Sequence, residues 1–321
     1  MIYSLAITGP TASGKTSLSI KLAGELSAEI ISCDSMQIYC GMNIGTAKAT
    51  AEERELVAHH MIDFLSPTED FSAQAYRAGA IAAARDITSR GRLPLFVGGT
   101  GLYIDSVMRA ETSEVPESSR EYRDRMLESV KTEGDAEALW QRLYEIDPES
   151  ALKTHKNNIR RVIRAIEIYE ATGKTKSYFD RLSKAESTEI KIGMITLDFH
   201  NRENLYRIVD ERVDIMMRDG LEEEVRSLYE KGLLLKSSTA AQAIGYKEII
   251  DYIEGKTTLN EAIELIKLSS RRYAKRQLTW FRHEEGAYRL YIDTEEGAMR
   301  DFDDILSEAH RALTELKEGF I

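Results

Sequence analysis

The sequence has 321 residues, of which 42% are hydrophobic and 30% are charged, and this balance excludes a largely disordered chain. Its length suits about two domains. The 43 basic and 54 acidic residues give a net charge of −11, which excludes a protein that coats nucleic acid through bulk positive charge. The two cysteines, Cys33 and Cys40, lack metal-type spacing, no apolar run approaches the roughly 18 residues of a membrane span, and no signal segment is evident, so we expect a cytoplasmic protein without disulfides.

The first hundred residues alternate between predicted strands and predicted helices. Short apolar runs at 2–8, 29–33 and 93–98 are typical of buried strands. Helical patterns occupy residues 18–26 and 72–90. This alternation predicts an α/β fold in which a parallel β-sheet core is flanked by helices.

After residue 111 the composition and the apolar pattern of the chain change. The segment is rich in charge, carries apolar residues at helical spacing and contains no convincing strand, whereas residues 190–199 again resemble a strand. We therefore predict a helical insertion domain at 112–189 between two parts of a core domain, 1–111 and 190–321. The last part is predicted to be helical apart from a strand at 288–292.

Residues 9–16 read GPTASGKT and match the phosphate-binding pattern GxxxxGK[ST] between a predicted strand and a predicted helix. Gly9 and Gly14 let the backbone wrap around an anion, while the loop amides and Lys15 supply positive charge. The Thr16 hydroxyl can bind Mg²⁺. The pattern predicts a P-loop site for a diphosphate or triphosphate, and it leaves open whether that group belongs to a nucleotide or to another substrate. The candidate binding residues are Gly9, Pro10, Thr11, Ala12, Ser13, Gly14, Lys15 and Thr16.

Asp34 follows the second predicted strand, at the edge of a parallel sheet where ligands bind. Three roles are open for it: it can hold Mg²⁺ through water, accept a proton from an incoming nucleophile, or cap a helix. A conventional NTPase needs an aspartate after a further strand, but the strand at 93–97 ends in the sequence GGTG. That turn weakens an ATPase interpretation and presents the Thr100 hydroxyl close to a ligand.

Two segments are basic although the whole chain is acidic. Residues 158–164 carry three arginines, and residues 269–282 carry five basic residues interleaved with aromatic ones; neither segment contains an acid. This combination suits an RNA backbone and unstacked bases, but a solvated helix face has the same pattern, so both interpretations stay open. The adjacent His59-His60 pair is more typical of a loop or a sheet-to-helix junction than of a metal site.

Taken together, these motifs resemble those of the bacterial tRNA dimethylallyltransferases, the isopentenyl-transferring enzymes of the P-loop class. The resemblance extends over nearly the whole chain. The motifs that carry it are GPTASGKT (9–16), DSMQIY (34–39), NIGTAKAT (43–50), HHMID (59–63), FSAQAYRAGA (71–80), LFVGGTGLY (95–103), NIRRVIRAIEIYEATGK (158–174), AIGYKEI (243–249) and AKRQLTWFR (274–282).

The resemblance implies transfer of a dimethylallyl group from dimethylallyl diphosphate to N6 of adenosine 37, the nucleoside 3′ of the anticodon in tRNA, with release of diphosphate. It implies Mg²⁺ as cofactor with Thr16 as a ligand, and the tRNA anticodon stem-loop and dimethylallyl diphosphate as partners. Asp34 and Thr100 are implied to be catalytic, and Arg212 is implied to bind diphosphate. We also expect a monomer that binds no membrane. The implied tRNA contacts are Asp34, Ser35, Met36, Gln37, Thr100, Arg123, Ile159, Arg160, Arg161, Val162, Ile163, Gln242, Ala243, Ile244, Gly245, Tyr246 and Lys247.

Two rival functions share parts of this pattern. A kinase of small molecules or nucleotides, or a prenyltransferase acting on free AMP, would use the same phosphate loop without needing the arginine row or the AKRQLTWFR segment. A non-catalytic P-loop protein that binds RNA would not need Asp34 and Thr100 at successive strand ends.

Overall fold

The computed structural model describes residues 1–110, 119–183, 185, 187–235 and 238–318. The chain divides into two compact units. One unit consists of residues 1–107 and the chain from residue 189 onward, and the other consists of residues 108–188. The predicted domain boundary at residues 111–112 lies outside the described residues.

In the described part of the first unit, six parallel strands form one sheet in the order β3-β2-β4-β1-β5-β6. The predicted α/β fold with a parallel sheet is confirmed. The strands are β1 (Ile2–Thr8), β2 (Ala28–Ser32), β3 (His59–His60), β4 (Leu93–Gly98), β5 (Ile190–Asp198) and β6 (Tyr288–Tyr291).

β1 is an interior strand of the sheet because it pairs with β4 on one side and with β5 on the other, and most of its residues are buried. Leu5 and Ile7 are 2% and 1% exposed, and Leu5 is in register with Leu95 of β4 and with Gly193 of β5. Strands covered on both faces are continuous apolar runs, which is the pattern of residues 2–8. Since the strands are parallel, the loops that follow β1, β2 and β4 meet at one edge of the sheet.

Helices flank the sheet and extend beyond it. None of the described helices is long and apolar enough to cross a membrane. The helices of the first unit are α1 (Lys15–Leu26), α2 (Ala51–Leu56), α3 (Ala73–Ser89), α4 (Gly101–Met108), α10 (Arg202–Arg218), α11 (Leu221–Glu230), a 3-10 turn (Ala240–Gln242), α12 (Tyr246–Ile253), α13 (Leu259–Phe281) and α14 (Phe302–Glu318).

α10 and α13 pack against each other and connect two apolar clusters. Val209 and Leu278 belong to the cluster beneath the sheet, whereas Val213 and Ile266 belong to a cluster formed with α11 and α12. α13 begins at a capping box in which Thr258 and the third helical residue exchange hydrogen bonds, which fixes the start of this 23-residue helix. The two helices therefore contribute to both apolar clusters of the first unit.

The second unit is helical throughout its described length. Its core lies along α8 (Ile159–Thr172), where Val162, Ile163 and Ile166 are fully buried and pack with Leu143 of α6 (Glu133–Ile146). Gly173, with a φ of +70°, ends α8. The helices of this unit are α5 (Arg120–Ser129), α6 (Glu133–Ile146), α7 (Pro148–Lys153), α8 (Ile159–Thr172) and α9 (Lys176–Leu182).

The expectation of a loop or junction at His59 and His60 is wrong. The two residues form a short edge strand, with His59 in register with Ile30 and His60 in register with Ile31 of β2. Two residues are too few to show the alternation by which strands are recognised in a sequence. The His60 ring also hydrogen-bonds the carboxylate of Glu29 at 2.7 Å, a contact that draws this edge strand onto β2.

Candidate active site

The phosphate loop connects β1 to α1 and requires glycine at two positions. Gly9 has a φ of +135°, and a Cβ there would lie 2.7 Å from the carbonyl oxygen of Leu197 on β5. Gly14 precedes α1 in the left-handed conformation, with a φ of +81°. A larger residue would strain the backbone at both positions. The motif therefore places the amino end of α1, with its partial positive charge, at the edge of the sheet.

Two cations lie at this loop without a carboxylate partner in the described part of the chain. The Lys15 ammonium donates hydrogen bonds to the carbonyl oxygens of Gly9 (3.1 Å) and Pro10 (2.5 Å). Burial, and secondly the charge of Arg212, lower the pKa of Lys15 to about 7, while Asp34 opposes the shift. Burial also lowers the pKa of Arg212 on α10. Desolvated cations of this kind favour the binding of an anion.

Asp34 begins the loop after β2 and lines the same cavity as the two cations. Its Oδ1 accepts hydrogen bonds from the N–H groups of Met36 (2.8 Å) and Gln37 (3.4 Å), so the carboxylate caps a turn rather than a helix. Its negative charge raises the pKa of both Lys15 and Arg212 against the effect of burial. A carboxylate and two cations therefore share one site.

Thr100 follows β4 and holds the loop that carries Asp34. Its hydroxyl accepts a hydrogen bond from the N–H of Ser35 (3.1 Å) and donates one to the Ser35 hydroxyl (3.3 Å). Its own N–H donates to the Cys33 carbonyl at 3.0 Å. Gly98 permits this approach, since a Cβ there would lie 2.3 Å from the same carbonyl oxygen. The glycine-rich turn after β4 thus serves to position the Asp34 loop.

Gln277 on α13 joins the phosphate loop to the turn after β4. Its Oε1 accepts a hydrogen bond from the N–H of Thr11 (2.8 Å), and its Nε2 donates one to the carbonyl of Gly99 (2.9 Å). One turn earlier, Tyr273 lines the cavity, and burial, followed by the charge of Asp34, raises its pKa to about 12. α13 therefore supplies both a clamp for the loops and a hydroxyl within the site.

Glu224 on α11 holds another wall of the cavity. Its carboxylate accepts hydrogen bonds from the backbone N–H groups of residues 43–45, at 2.8 to 3.2 Å, and from the hydroxyl of Tyr246 at 2.5 Å. Residues 45–47 and 242–245 line the cavity on either side of this contact. One carboxylate thus fixes two separate segments of the wall.

These groups surround a cavity of about 430 Å³. Residues 11–16 of the phosphate loop, Asp34 and Arg212 form its polar part, whereas Gly9 and Pro10 act through their carbonyl contacts with Lys15. A cationic part beside an apolar part suits an anionic ligand with an apolar tail. The apolar side chains that line the cavity belong to Met36, Val97, Val209, Val213, Met216, Ile244 and Ile266.

Comparison with known proteins identifies the family. A model of the family described as IPP transferase matches residues 37–284, and a model described as isopentenyl transferase matches residues 2–63. The chain is 45% identical over 293 residues to a tRNA dimethylallyltransferase of Thermoanaerobacter sp. (strain X514), covering 91% of this chain and 92% of the relative. It is 50% identical over 280 residues to one of Geobacillus thermodenitrificans, covering 87% of each chain. The chain belongs to the IPP transferase family.

Solved structures agree with this membership. The crystal structure of a tRNA isopentenylpyrophosphate transferase from Bacillus halodurans is 40% identical, with a TM-score of 0.72 over 99% of this chain and 98% of that one. A eukaryotic dimethylallyltransferase acting on tRNA is 30% identical, with a TM-score of 0.74 over 91% of this chain and 74% of that one. The resemblance seen in the motifs is therefore confirmed, and so is the classification of this IPP transferase as a prenyltransferase.

The predicted tRNA contacts of this IPP transferase fall into two groups. Residues 34–37 and 242–245 line the cavity, and next to them Tyr246 is fully buried while Lys247 lies outside the lining. Thr100 lies in the turn after β4, next to lining residues 97–99 but outside the lining itself. The remaining contacts lie in the helical unit, where Arg160 and Arg161 are exposed, Arg123 and Ile159 are half-buried, and Val162 and Ile163 are fully buried. The side chains of Val162 and Ile163 support α8 from within, so a contact with RNA from this segment falls to its arginines.

Metal-binding capacity in the IPP transferase is modest. No group of three or more His, Cys, Asp or Glu side chains that could hold a metal occurs among the described residues. His59 and His60 lie instead on the edge strand β3, where the His59 ring bonds the carbonyl of Val57. The oxygen donors within the cavity include the Thr16 hydroxyl and the Asp34 carboxylate. Oxygen ligands of this kind, completed by water and substrate phosphate, are what Mg²⁺ prefers.

Three residues of the site were not predicted from the sequence as site residues: Tyr273, Gln277 and Glu224. Gln277 lies within the AKRQLTWFR motif, so the motif marked the segment without indicating what the glutamine does. Tyr273 is one of several aromatic residues in the basic segment 269–282, and the sequence pattern does not distinguish it from the others. Glu224 follows two further glutamates at the start of α11, where acidic residues are common for helix-dipole reasons, and nothing local distinguishes it.

Proposed function

We propose that this IPP transferase family member moves a dimethylallyl group from dimethylallyl diphosphate to N6 of adenosine 37 in tRNA and releases diphosphate. The observation that carries the proposal is the presence of Asp34 in the same cavity as Lys15 and Arg212. A diphosphate at the cations and an amine at the carboxylate would be held next to each other, as the transfer requires.

The diphosphate is proposed to bind at residues 9–16 and Arg212. The backbone N–H groups of the loop and the amino end of α1 offer hydrogen bonds and partial positive charge to its oxygens. Because the pKa of Lys15 is about 7, a bound diphosphate would favour the charged ammonium and draw a proton onto it. These charges lie where the leaving group becomes more negative, so they stabilise the transition state more than the ground state.

Asp34 is proposed to act as the base, with Thr100 positioning it. A bond forms between adenine N6 and the first carbon of the allyl group, and the bond from that carbon to the diphosphate oxygen breaks. The diphosphate leaves with the electron pair, and the proton of N6 passes to the Asp34 carboxylate. The amine becomes acidic as it is alkylated, so hydrogen-bond reach matters more than a raised carboxylate pKa.

Mg²⁺ is the proposed cofactor, with the Thr16 hydroxyl as its protein ligand and diphosphate oxygens as the others. It would supply Lewis-acid stabilisation of the leaving group. The Thr16 position at the first turn of α1 beside Lys15 fits this assignment, because an octahedral Mg²⁺ keeps several water and phosphate ligands and needs few from the protein.

The tRNA is proposed to contact residues 34–37 and 242–247 of the first unit, of which 34–37 and 242–245 line the cavity, and Arg123, Arg160 and Arg161 of the helical unit. A base that reacts inside a cavity must leave its stack, at a cost of a few kcal/mol. Contacts between arginines and phosphates offset that cost without reading sequence. With tRNA as its substrate, the proposed enzyme acts in the cytoplasm.

The proposal is tested by incubating the protein with dimethylallyl diphosphate, Mg²⁺ and unmodified tRNA and measuring the mass of the resulting nucleosides. We expect one adenosine to gain a single five-carbon isoprenoid unit. Parallel reactions contain AMP as acceptor or ATP as the phosphate-bearing substrate. Prenylation of AMP without prenylation of tRNA, or phosphoryl transfer from ATP, would replace the proposal with one of the rival functions.

A further inference from the structure

Three consecutive glutamates near the start of α11 lie in three different surroundings. Glu222 forms an ion pair within the helix, at 2.7 Å, and Glu223 is exposed. Glu224 instead accepts hydrogen bonds from the backbone of residues 43–45 and from the Tyr246 hydroxyl. Glu224 does not itself line the cavity. Any effect of this carboxylate on the reaction therefore passes through the segments that it holds.

Residues 43–47, which we call the 43–47 wall, lie between β2 and α2 and outside both. Three successive N–H groups of this wall donate to the one carboxylate of Glu224. Ala47 lines the cavity with a φ of +42°, a left-handed conformation that alanine rarely adopts. Strained backbone of this kind persists only where surrounding contacts fix it, and it is common at functional sites. The conformation of the 43–47 wall is therefore set by its contacts.

The segment that carries Tyr246 packs directly against the 43–47 wall. Tyr246 is fully buried, and a Cβ at Gly45 would lie 2.5 Å from its ring. Burial, followed by the charge of Glu224, raises the pKa of the Tyr246 hydroxyl, so that this hydroxyl keeps its proton and remains a donor to the carboxylate. The two segments thus hold a fixed position relative to each other.

Gln37 connects the 43–47 wall to the loop of Asp34. Its Nε2 donates hydrogen bonds to the carbonyl oxygens of residues 46 and 47, both at 3.2 Å. Its backbone N–H donates to the Oδ1 of Asp34 at 3.4 Å. A chain of hydrogen bonds and backbone therefore runs from Glu224 on α11, through the wall and Gln37, to the carboxylate of Asp34.

We propose that Glu224 is a positioning residue that, through the 43–47 wall and Gln37, holds the Asp34 carboxylate where it meets the amine of the acceptor. This inference rests on the proposed function, because it takes Asp34 as the base. Proton transfer needs hydrogen-bond reach, and a displacement of about 1 Å in a reacting group can slow a reaction roughly a hundredfold. A carboxylate outside the cavity lining thereby affects the chemical step.

The test is Glu224→Gln in single-turnover prenyl transfer with saturating tRNA. The amide keeps one acceptor oxygen where the carboxylate has two, so part of the 43–47 wall loses its acceptor. We expect the rate to fall about tenfold to a hundredfold, and the affinity for dimethylallyl diphosphate to stay at the wild-type value. The matched control, Glu222→Gln, makes the same change of charge on the same turn of α11 and should retain the wild-type rate.

A double-variant cycle separates positioning from a general loss of stability. Asp34→Asn removes the proton acceptor, so Glu224→Gln should slow transfer much less in that background than in the wild type. A merely structural role would slow both backgrounds by the same factor. If Glu224→Gln does not fold, Tyr246→Phe takes its place in the cycle, because it removes one bond to Glu224. Tyr246→Phe should slow transfer about threefold, and only when Asp34 is present.

Three results would overturn the inference: an unchanged rate in the variant that is used, an equal slowing in both backgrounds, or a parallel loss of affinity for dimethylallyl diphosphate. An Asp34→Asn variant with unchanged turnover would overturn the assignment of the base and this inference with it. Wild-type protein that fails to prenylate tRNA in the nucleoside assay would instead overturn the proposed function.

Discussion

The two ends of β2 carry acidic residues in opposite situations. At the amino end, the side chain of Glu29 is 2% exposed and is surrounded by Arg90, Arg92 and His60, with contacts of 2.8, 3.0 and 2.7 Å. Two residues beyond the carboxyl end, Asp34 lies in a cavity with cations that form no ion pair with it. The charges at the amino end of β2 are thus paired with one another, whereas those beyond its carboxyl end are not.

The difference indicates that Glu29 contributes to stability, whereas Asp34 belongs to the candidate site. At Glu29 every charge has a partner, and hydrogen bonding by Arg90 holds the pKa of the carboxyl near 2. Near Asp34 the cations Lys15 and Arg212 are desolvated and form no ion pair in the described part of the chain. Such an arrangement lowers the stability of the ligand-free protein, and it is typical of a site where a bound ligand supplies the missing charge. The carboxyl ends of parallel strands are where such sites form, because the loops there are free to vary while the sheet stays fixed.

The comparison predicts its largest effect at Asp34. Replacing Asp34 by Asn keeps an oxygen for the Met36 and Gln37 N–H groups but removes the proton acceptor. We expect single-turnover prenyl transfer to fall by about 10³-fold, within the usual range for a general base, while tRNA binding and thermal stability stay near wild type. Unchanged turnover would remove Asp34 from the chemistry and leave it as the cap of a turn.

The next effect is expected at the cation. Replacing Lys15 by Met should weaken binding of dimethylallyl diphosphate about tenfold to a hundredfold, the value of one charge-assisted hydrogen bond. Since the pKa of Lys15 is about 7 before binding and rises when an anion arrives, wild-type affinity should decrease as pH rises above 7, with proton uptake on binding. Calorimetry in buffers of different ionisation enthalpy measures that uptake. The phosphate-loop assignment fails if the Met variant shows the same uptake and affinity.

The smallest effect concerns the other end of the strand. Glu29→Gln should lower the free energy of unfolding by about 2 kcal/mol, because partly exposed cations lose a buried partner, with little change in turnover per folded molecule. Hydrogen bonds, first of all from Arg90, lower the pKa of Glu29 in the folded protein below its ordinary value of 4.5, although burial acts in the opposite direction. The contribution of Glu29 to stability is therefore fully present above about pH 4.5. It is lost as the pH falls toward 2. Urea unfolding of both proteins across this range should show the difference narrowing; a constant difference would contradict the assigned pKa.

The features that the sequence predicted are those with local patterns. The alternation of apolar runs and helical stretches was sufficient for the α/β fold, and the GPTASGKT motif located the loop after β1. The position of Asp34 after a strand was enough to expect it beside that loop. Its role as base, and the roles of the other predicted site residues, remain proposals with the tests given above.

The residues that were missed act over long separations in the chain. Gln277 reaches Gly99 across 178 residues, and Glu224 reaches Asn43 across 181. Contacts of this kind depend on the packing of α11 and α13 and leave no periodic pattern near either partner. The burial of Val162 and Ile163 shows the converse, because a segment predicted to contact tRNA also contains residues that pack into the core of its own unit.

The place of β1 between β4 and β5 has a consequence for synthesis on the ribosome. Leu5 pairs in register with Leu95 early in the chain and with Gly193 only after the whole helical unit has been made. Domains generally fold as units while the chain emerges, so the helical unit can fold when two strands of the described sheet, β5 and β6, have yet to be translated. A nascent chain arrested before Arg212 and Gln277 would display the phosphate-binding motif but lack the second cation and the clamp. We expect such a truncated product to bind no prenyl diphosphate, so that binding begins only when the chain has been made at least as far as Gln277.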